Sequence, residues 1–301
     1  MNLINKKDGR GGERRFFSGV LLLSLSTVIV KLIGLGFKIP MLSFLGAEGM
    51  GYFNSAYEIY AMLCTVATAG LPVALSILVA SSRADGDVIA AERIYRCASR
   101  MFLIFGFAAS ALMIFFAEEL AALIGNPAAK ECIVAIAPTL LFVCLSGAIR
   151  GYCQGFEYMT PTALSQLIEA LGKLVLGILL ASFAIKRGYP LPTVSALAVL
   201  GISIGSLISL VYLWLVKKLK RIESRELCDN QGCKKARNIS SAETVIKLLR
   251  IALPITLGSA VIGLTRIIDM TLIMHRLGDV GIDSAQRNEI YGAYTTLALP
   301  V

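Results

Sequence analysis

The chain has 301 residues, of which 56% are hydrophobic and 16% charged, with a formal net charge of +9. A soluble domain of this size carries about a quarter charged residues, so the composition excludes an ordinary soluble protein. The apolar residues also occur in runs long enough to cross a hydrocarbon core of about 30 Å, which takes about 20 helical residues. The sequence therefore predicts an all-α, polytopic membrane protein.

Apolar spans follow one another along the chain, interrupted by one long polar segment after the sixth. The seven complete spans cover residues 16–44, 52–80, 101–124, 133–149, 162–185, 193–216 and 246–274, and an eighth begins near Glu289. The first span exceeds the 7–15 apolar residues of a signal-peptide core, so we expect a retained helix. The eighth run reaches Val301 without a polar exit, and we expect either a stub or a fragment of a longer protein.

The order of these spans predicts four regions. They are a basic cytoplasmic tail (1–15), a first six-helix lobe (16–216), a cytoplasmic inter-lobe loop (217–245) and an incomplete second lobe (246–301) that holds helix 7 and the start of helix 8. Transporters often contain such repeats. The end of span seven, MTLIMHRLG, is weakly similar to the end of span one, KIPMLSFLG. We therefore expect two lobes that join at the long basic loop, with span seven starting the second.

Basic residues are distributed unevenly between the two sides of the predicted helices. With the N-terminus inside, the tail and the even-numbered loops hold 20 Lys and Arg residues, Arg150 among them, and the opposite side holds 5. This bias predicts a cytoplasmic N-terminus. The net positive charge is then a topology signal, and nucleic-acid binding is not needed to explain it.

Two lysines interrupt the first apolar span. Lys31 and Lys38 are seven positions apart and therefore share one helix face. Charges at this depth are costly in lipid and usually mark a pathway, so we predict a polar cavity that suits an anionic guest such as a phosphate. For Lys38 the alternative is an ammonium that snorkels to the membrane interface.

Five further charged residues in the apolar spans are candidates for the site. They are Glu58, Glu169, Lys173, Arg266 and Asp269. Arg266 and Asp269, three positions apart, share a face and extend the predicted cavity. Glu169 and Lys173, four positions apart, form either a coupling site or a neutralising structural pair. Glu58 lies either in the cavity or at headgroup depth.

Glycine and proline residues predict bends near these charges. Gly34, Gly36 and Pro40 accompany the two lysines, and Gly70-Leu71-Pro72 interrupts the second span. Such breaks weaken a straight helix, and broken helices beside charges are typical of gated pathways.

The residue types needed for metal or catalytic chemistry do not form a pattern. Cys228 and Cys233 with the single His275 do not have the spacing of a metal site, and the cysteines in the helices behave as small apolar residues. The chain also has no phosphate-binding loop and no Ser/His/Asp arrangement. We expect no metal, no cofactor, no direct use of ATP and no enzymatic activity.

Three segments resemble a known family. They are Lys31–Tyr60 (KLIGLGFKIPMLSFLGAEGMGYFNSAYEIY), Thr68–Ser76 (TAGLPVALS) and Arg150–Lys173 (RGYCQGFEYMTPTALSQLIEALGK). They are similar to the stage V sporulation protein B branch of polysaccharide biosynthesis membrane proteins. That branch lies in the multidrug/oligosaccharidyl-lipid/polysaccharide exporter superfamily, which includes lipid II flippases and multidrug extruders.

The resemblance implies a two-lobed alternating-access transporter fold, truncated at its C-terminus in this sequence, in a bacterial plasma membrane. It also implies outward movement of a lipid-linked sugar precursor through a cavity with basic residues. Lys31 matches a position where lipid II flippases carry arginine, and Lys38 matches the basic residue before Ile-Pro in this branch. We expect Lys31, Lys38 and Arg266 to bind the pyrophosphate, in cell-envelope peptidoglycan or spore-cortex synthesis. Glu58, Glu169 and Asp269 are candidate proton or cation sites.

Two other functions remain open. One is an ion-coupled extruder of cationic drugs, for which acidic cavity residues would suit the cargo better than lysines do. The other is a non-transporting membrane scaffold that helps envelope-synthesis enzymes assemble, in which case substitutions of the intramembrane charges would leave the function intact.

Overall fold

A computed structural model describes residues 5–231 and 241–298, and within these every regular element is helical. The helices are α1 (Asn5–Thr68), α2 (Leu71–Ala84), α3 (Val88–Phe115), α4 (Ala117–Leu123), α5 (Lys130–Gly155), α6 (Met159–Lys186), α7 (Leu191–Gln231), α8 (Ser241–Asp279) and α9 (Ser284–Ala293). A 3₁₀ turn (Pro127–Ala129) precedes α5, and a π-helical turn (Tyr294–Ala298) follows α9. The predicted all-helical fold is confirmed.

Helix α1 contains a reversal of the chain at Gly46. The backbone of Gly46 has φ 65° and ψ 178°, a conformation that glycine adopts at little cost. The rings of Phe37 and Phe53 lie 5.7 Å apart, although 16 residues of straight helix would separate them by about 24 Å. We call residues 5–45 the first arm of α1 and residues 47–68 its second arm.

Six segments in the described part of the chain are long and apolar enough to cross a membrane. The first of these extends over 68 residues, from Phe17 to Ala84, and the reversal at Gly46 divides it into two passes. The seven passes agree with the seven complete spans that the sequence predicts.

The predicted break in the second span is present, whereas the first span stays helical. Helix α1 ends at Thr68 and α2 begins at Leu71, with Pro72 in its first turn. A Cβ atom on Gly70 would overlap the backbone of Ala252 in α8, so the break also allows close helix contact. Pro40 lies inside α1 without ending it.

Two predicted loops are largely helical. Much of the basic stretch before the third span belongs to α3, which starts at Val88. Helix α7 continues to Gln231, well into the predicted 217–245 loop, because KKLKRIESREL is rich in helix-forming residues. Residues 232–240 of that loop lie outside the described residues, as do 1–4 and 299–301, and α8 begins at Ser241.

Small residues set the closest helix contacts. Gly172 in α6 meets Gly205 in α7, and one turn further Gly177 meets Gly201. Membrane helices gain most of their association from such close packing, because lipid supplies no hydrophobic driving force. These glycines hold α6 against α7. The close contact fixes the rotation of α6 about its own axis, and with it the direction in which Lys173 points.

Candidate functional site

A cavity of about 270 Å³ lies between α1, α6, α8 and the end of α9. Five of the seven predicted charged residues line it: Lys38, Glu58, Lys173, Arg266 and Asp269. Aromatic and small polar residues complete the wall: Phe37, Phe53, Asn54, Tyr57, Tyr291, Tyr294 and Thr295. The structure thus brings three cationic and two acidic side chains from three helices to one space.

The cavity lies near the middle of the bundle. Lys38 is eight residues before the reversal at Gly46 and Glu58 is twelve after it, which at 1.5 Å per residue is about 12 and 18 Å. A hydrocarbon core about 30 Å thick has its midplane at about 15 Å. Measured from the reversal, the charged residues therefore lie close to half the thickness of such a core.

Lys38 connects the first arm of α1 to the π-helical turn. Its ammonium donates a hydrogen bond to the backbone carbonyl of Thr295 over 3.2 Å. From the second arm, the Asn54 amide donates to the hydroxyls of Thr295 and Thr296 at 2.7 and 3.2 Å. Turns of π-helix recur at functional sites, and here both arms of α1 contact one.

Lys173 rests against aromatic rings. Its ammonium is 5.0 Å from the ring centroid of Phe37 and 4.6 Å from that of Tyr57. A cation over aromatic faces is attracted by the ring quadrupole, which partly offsets its loss of hydration. Glu169, the predicted partner of Lys173, points elsewhere, so this helix turn presents its lysine to the cavity.

Glu169 belongs to a separate polar cluster between α5, α6 and α7. The Arg150 guanidinium donates to the Glu169 carboxylate over 2.8 Å, and to the hydroxyls of Ser165 and Ser209 at 2.9 and 3.3 Å. Ser206 donates to the second carboxylate oxygen at 3.3 Å. Glu169 therefore pairs with Arg150 on the neighbouring helix rather than with Lys173 on its own.

Sequence reasoning missed Arg150 as an intramembrane charge because it was assigned to a loop. Helix α5 continues to Gly155, so Arg150 lies within the helix and its side chain is only 15% exposed. A signal was available. Arg150 lies five residues before the end of α5 and Glu169 ten residues after the start of α6, on consecutive helices joined by a short turn, and a long arginine side chain can span this difference.

Arg266 and Glu58 face each other across the cavity. Their closest nitrogen and oxygen atoms are 4.0 Å apart, at the outer limit of an ion pair, and the Arg266 side chain is 61% exposed. Asp269, one turn further along α8, also lines the wall. The predicted common face of Arg266 and Asp269 is present, and it points towards the second arm of α1.

Lys31 does not line the cavity. Its side chain is exposed, whereas Gly34, one turn closer to Lys38, belongs to the wall. Only one of the two first-span lysines therefore contributes its ammonium directly. Lys31 lies one turn beyond the wall, towards the N-terminal end of α1.

The sequence matches a family model over nearly its whole length. A model described as "Polysaccharide biosynthesis protein" covers residues 16–299. Stage V sporulation protein B of Bacillus subtilis (strain 168) is 26% identical over 289 residues, which are 95% of this chain and 54% of that protein. Lipid II flippase MurJ of the same organism is 26% identical over 266 residues, 85% of this chain and 48% of that protein. The chain thus spans about half the length of these relatives.

Solved structures share the fold. A MATE protein in complex with MaD3S superposes with a TM-score of 0.67 at 15% identity, over 94% of this chain and 64% of that one. An inward-facing multidrug resistance MATE transporter of the MOP superfamily gives 0.63 at 16% identity, over 92% and 60%. A MOP superfamily transporter from Pyrococcus furiosus Vc1 (DSM3638), whose binding pocket is said to have reverse polarity, gives 0.62 at 15% identity, over 92% and 63%.

Proposed function

We propose that this chain, which belongs to the polysaccharide biosynthesis protein family, moves a lipid-linked saccharide outward across the bacterial plasma membrane. The observation that carries the proposal is the excess of cationic over acidic side chains in the mid-depth cavity. A phosphate or pyrophosphate headgroup is the anion that this excess suits, because lysine ammonium groups act on phosphate as point charges.

Lys38 and Lys173 form the proposed anion site. They approach the cavity from α1 and α6, and neither has a carboxylate partner within 4.0 Å in the described part of the chain. Arg266 joins them when it leaves Glu58, from which it is 4.0 Å away, at the outer limit of an ion pair. Lys31, on the adjacent turn, is proposed to meet the headgroup on its way in.

The size of the cavity indicates which part of the substrate enters. Its volume of about 270 Å³ lies at the lower end of ligand pockets. That space accommodates the phosphate groups and a first sugar, while a polyprenyl chain has no need to leave the bilayer. Aromatic side chains such as Phe53 and Tyr291 supply the flat apolar surface against which a sugar ring packs.

Energy for transport is proposed to come from the membrane potential or an ion gradient. An inside-negative potential favours outward movement of an anion by about 2.3 kcal/mol per charge per 100 mV. Glu58 and Asp269, both in the cavity wall, are the candidate proton or cation sites. Glu169 is proposed to be structural instead, because Arg150 already neutralises it at 2.8 Å.

The topology that accompanies this function is also proposed. The N-terminus faces the cytoplasm, since 20 basic residues lie on its side in the predicted topology against 5 on the other. Residues 16–216 form one lobe and residues 246–301 begin a second, with the cavity between them. Envelope-synthesis enzymes on the cytoplasmic side would supply the substrate.

A second candidate is extrusion of organic cations, which the two cavity carboxylates favour. Glu58 and Asp269 could accept a cationic drug if Arg266 moved away from them. The two functions predict opposite effects of one substitution. Lys38→Ala weakens the binding of an anion and strengthens the binding of a cation.

Direct binding tests the proposal. Purified protein is titrated with undecaprenyl pyrophosphate in detergent, and separately with rhodamine 6G as a cationic probe. Lys38→Ala should weaken pyrophosphate binding about tenfold to a hundredfold, because a hydrogen bond to a charged group contributes about 1.5–3 kcal/mol. Lys186→Ala, an exposed lysine in the last turn of α6, is the matched control and should bind as wild type. Unchanged pyrophosphate binding in Lys38→Ala would show that the cavity role is wrong.

A further inference from the structure

Three arginines form a stripe along the outer face of α3. Arg93, Arg96 and Arg100 are spaced by three and four residues, which places them on one helix face, and all three side chains are exposed. Buried residues such as Ala91, Ala98 and Phe102 lie on the opposite face, towards α5. We call these three residues the arginine stripe.

The same face becomes apolar one turn further into the bundle. Leu103, Ile104 and Phe107 are 47%, 66% and 65% exposed. Large apolar side chains exposed along a membrane-spanning helix face acyl chains. The change from arginine to leucine and isoleucine between positions 100 and 104, a rise of about 6 Å, therefore marks the edge of the hydrocarbon core.

The single tryptophan of the chain independently indicates where the hydrocarbon core ends. Lys217 in α7 lies 3.7 Å from Glu92 and packs over the ring of Tyr95, which sets the level of α7 against α3. Trp214 lies one turn deeper than Lys217, at the level of Arg96 and Arg100, and is 54% exposed. Tryptophan is enriched at membrane interfaces, so the stripe lies in the headgroup layer.

We propose that Arg96 and Arg100 bind the phosphate of an anionic phospholipid, of the phosphatidylglycerol type, at this end of the bundle. The two guanidinium groups are one helix turn apart, and each can donate two hydrogen bonds to one phosphate. Neither has an ion-pair partner among the residues that the structure describes. Arg93 has a contact of its own within the protein, and it adds only to the positive field.

This occupant is distinct from the transported substrate. The cavity wall contains residues from α1, α6, α8 and the end of α9, and α3 contributes none of those that form it. The arginine stripe faces away from α5, towards the lipid headgroups around the protein. A lipid held here is a boundary lipid, which fixes the depth of α3 and the orientation of the bundle.

Native mass spectrometry from mixed micelles with equal phosphatidylglycerol and phosphatidylcholine tests the proposal. Wild-type protein should retain phosphatidylglycerol in preference to phosphatidylcholine. Arg96→Gln/Arg100→Gln should lower that preference about thirtyfold, and each single change about fivefold, since each basic residue near an anionic surface contributes a similar increment. Arg96→Lys/Arg100→Lys, which keeps both charges, should retain most of the preference.

The control removes two basic residues from the other end of the bundle. Lys186→Gln/Arg187→Gln, at the end of α6, should retain the lipid as wild type does. The proposal is wrong if Arg96→Gln/Arg100→Gln and Lys186→Gln/Arg187→Gln lose the phosphatidylglycerol preference equally. It is also wrong if the wild-type protein retains the two lipids equally. If Arg96→Gln/Arg100→Gln does not elute as folded protein, the lipid preference of the two single variants tests the proposal. The readout does not depend on transport, so it stands or fails separately from the proposed function.

Discussion

The Lys38 ammonium donates a hydrogen bond to the backbone carbonyl of Thr295, across 257 positions of the sequence and over 3.2 Å. The contact joins the first arm of α1 to the turn that follows α9. An anion bound to the Lys38 ammonium would compete with the Thr295 carbonyl for this hydrogen bond. In the proposed function, one side chain therefore links the binding of the anionic substrate to the position of the α9 end.

Lys31 is expected to contact water although it lies outside the cavity wall. Lys31→Cys should react with a membrane-impermeant maleimide severalfold faster than Ile39→Cys, which is 72% exposed on the apolar side of the same helix. The reason is that an ammonium at this depth persists only where water or protein dipoles reach it. The experiment uses a background in which the native cysteines are replaced. Equal labelling of the two positions would place Lys31 in lipid and remove it from the substrate path.

Arg150 and Glu169 are expected to stabilise the packing of α5 on α6. Glu169→Gln should lower the free energy of unfolding by about 2–4 kcal/mol, because it leaves a largely buried guanidinium without its counter-charge. Thermal unfolding in detergent, followed by circular dichroism, measures the effect. Arg150→Met/Glu169→Gln should recover part of the loss, since no unpaired charge remains. A double variant less stable than Glu169→Gln would show that the pair is not coupled in this way.

Gly292 is expected to determine how closely α9 approaches α1. A Cβ atom at this position would overlap the backbone carbonyl of Ala47, and one on Gly51 would overlap the backbone of Asn288. Gly292→Ala should therefore destabilise the protein by about 1–3 kcal/mol, the cost of overpacking a tight contact. Gly258→Ala in α8 is the matched control, because its Cβ meets no atom within 4 Å. That variant should be neutral or slightly stabilised by helix propensity.

Asn126 and Asn288 are expected to act as one unit at the end of the bundle near Gly46. Each amide donates to the carbonyl oxygen of the other, at 2.6 and 3.2 Å, and both side chains are buried. Asn126→Ala and Asn288→Ala should each cost about 1–3 kcal/mol, because the remaining buried amide loses its amide partner and keeps only its bond to Ser55 or to the Ser284 carbonyl. The double variant should cost less than the sum by about 1 kcal/mol or more.

Ser259 supplies the control for this double-mutant cycle. Among the described residues, its hydroxyl bonds only to the Ile255 carbonyl of its own helix, at an exposed site. Effects of Asn126→Ala and Ser259→Ala should therefore add, as they do for distant sites. Additive effects of Asn126→Ala and Asn288→Ala would contradict the prediction that the two amides form one coupled contact between the α4–α5 connection and α9.

The helices and the candidate charges were predictable from local sequence. A run of about 20 apolar residues forms a membrane helix wherever it occurs, because backbone groups in lipid must bond within their own segment. A lysine or glutamate in such a run is conspicuous for the same reason, and five of the seven residues identified in this way line the cavity. The family resemblance likewise depended on contiguous stretches such as Arg150–Lys173.

Only the tertiary structure decided which charges meet. Glu169 pairs with Arg150 rather than with Lys173, Lys173 rests on aromatic rings of α1, and Lys31 falls one turn outside the wall. Each outcome depends on the rotation and depth of one helix against another. Those are set by contacts between distant residues, such as Gly172 with Gly205 and Gly292 with Ala47, which helical periodicity within a single segment does not contain.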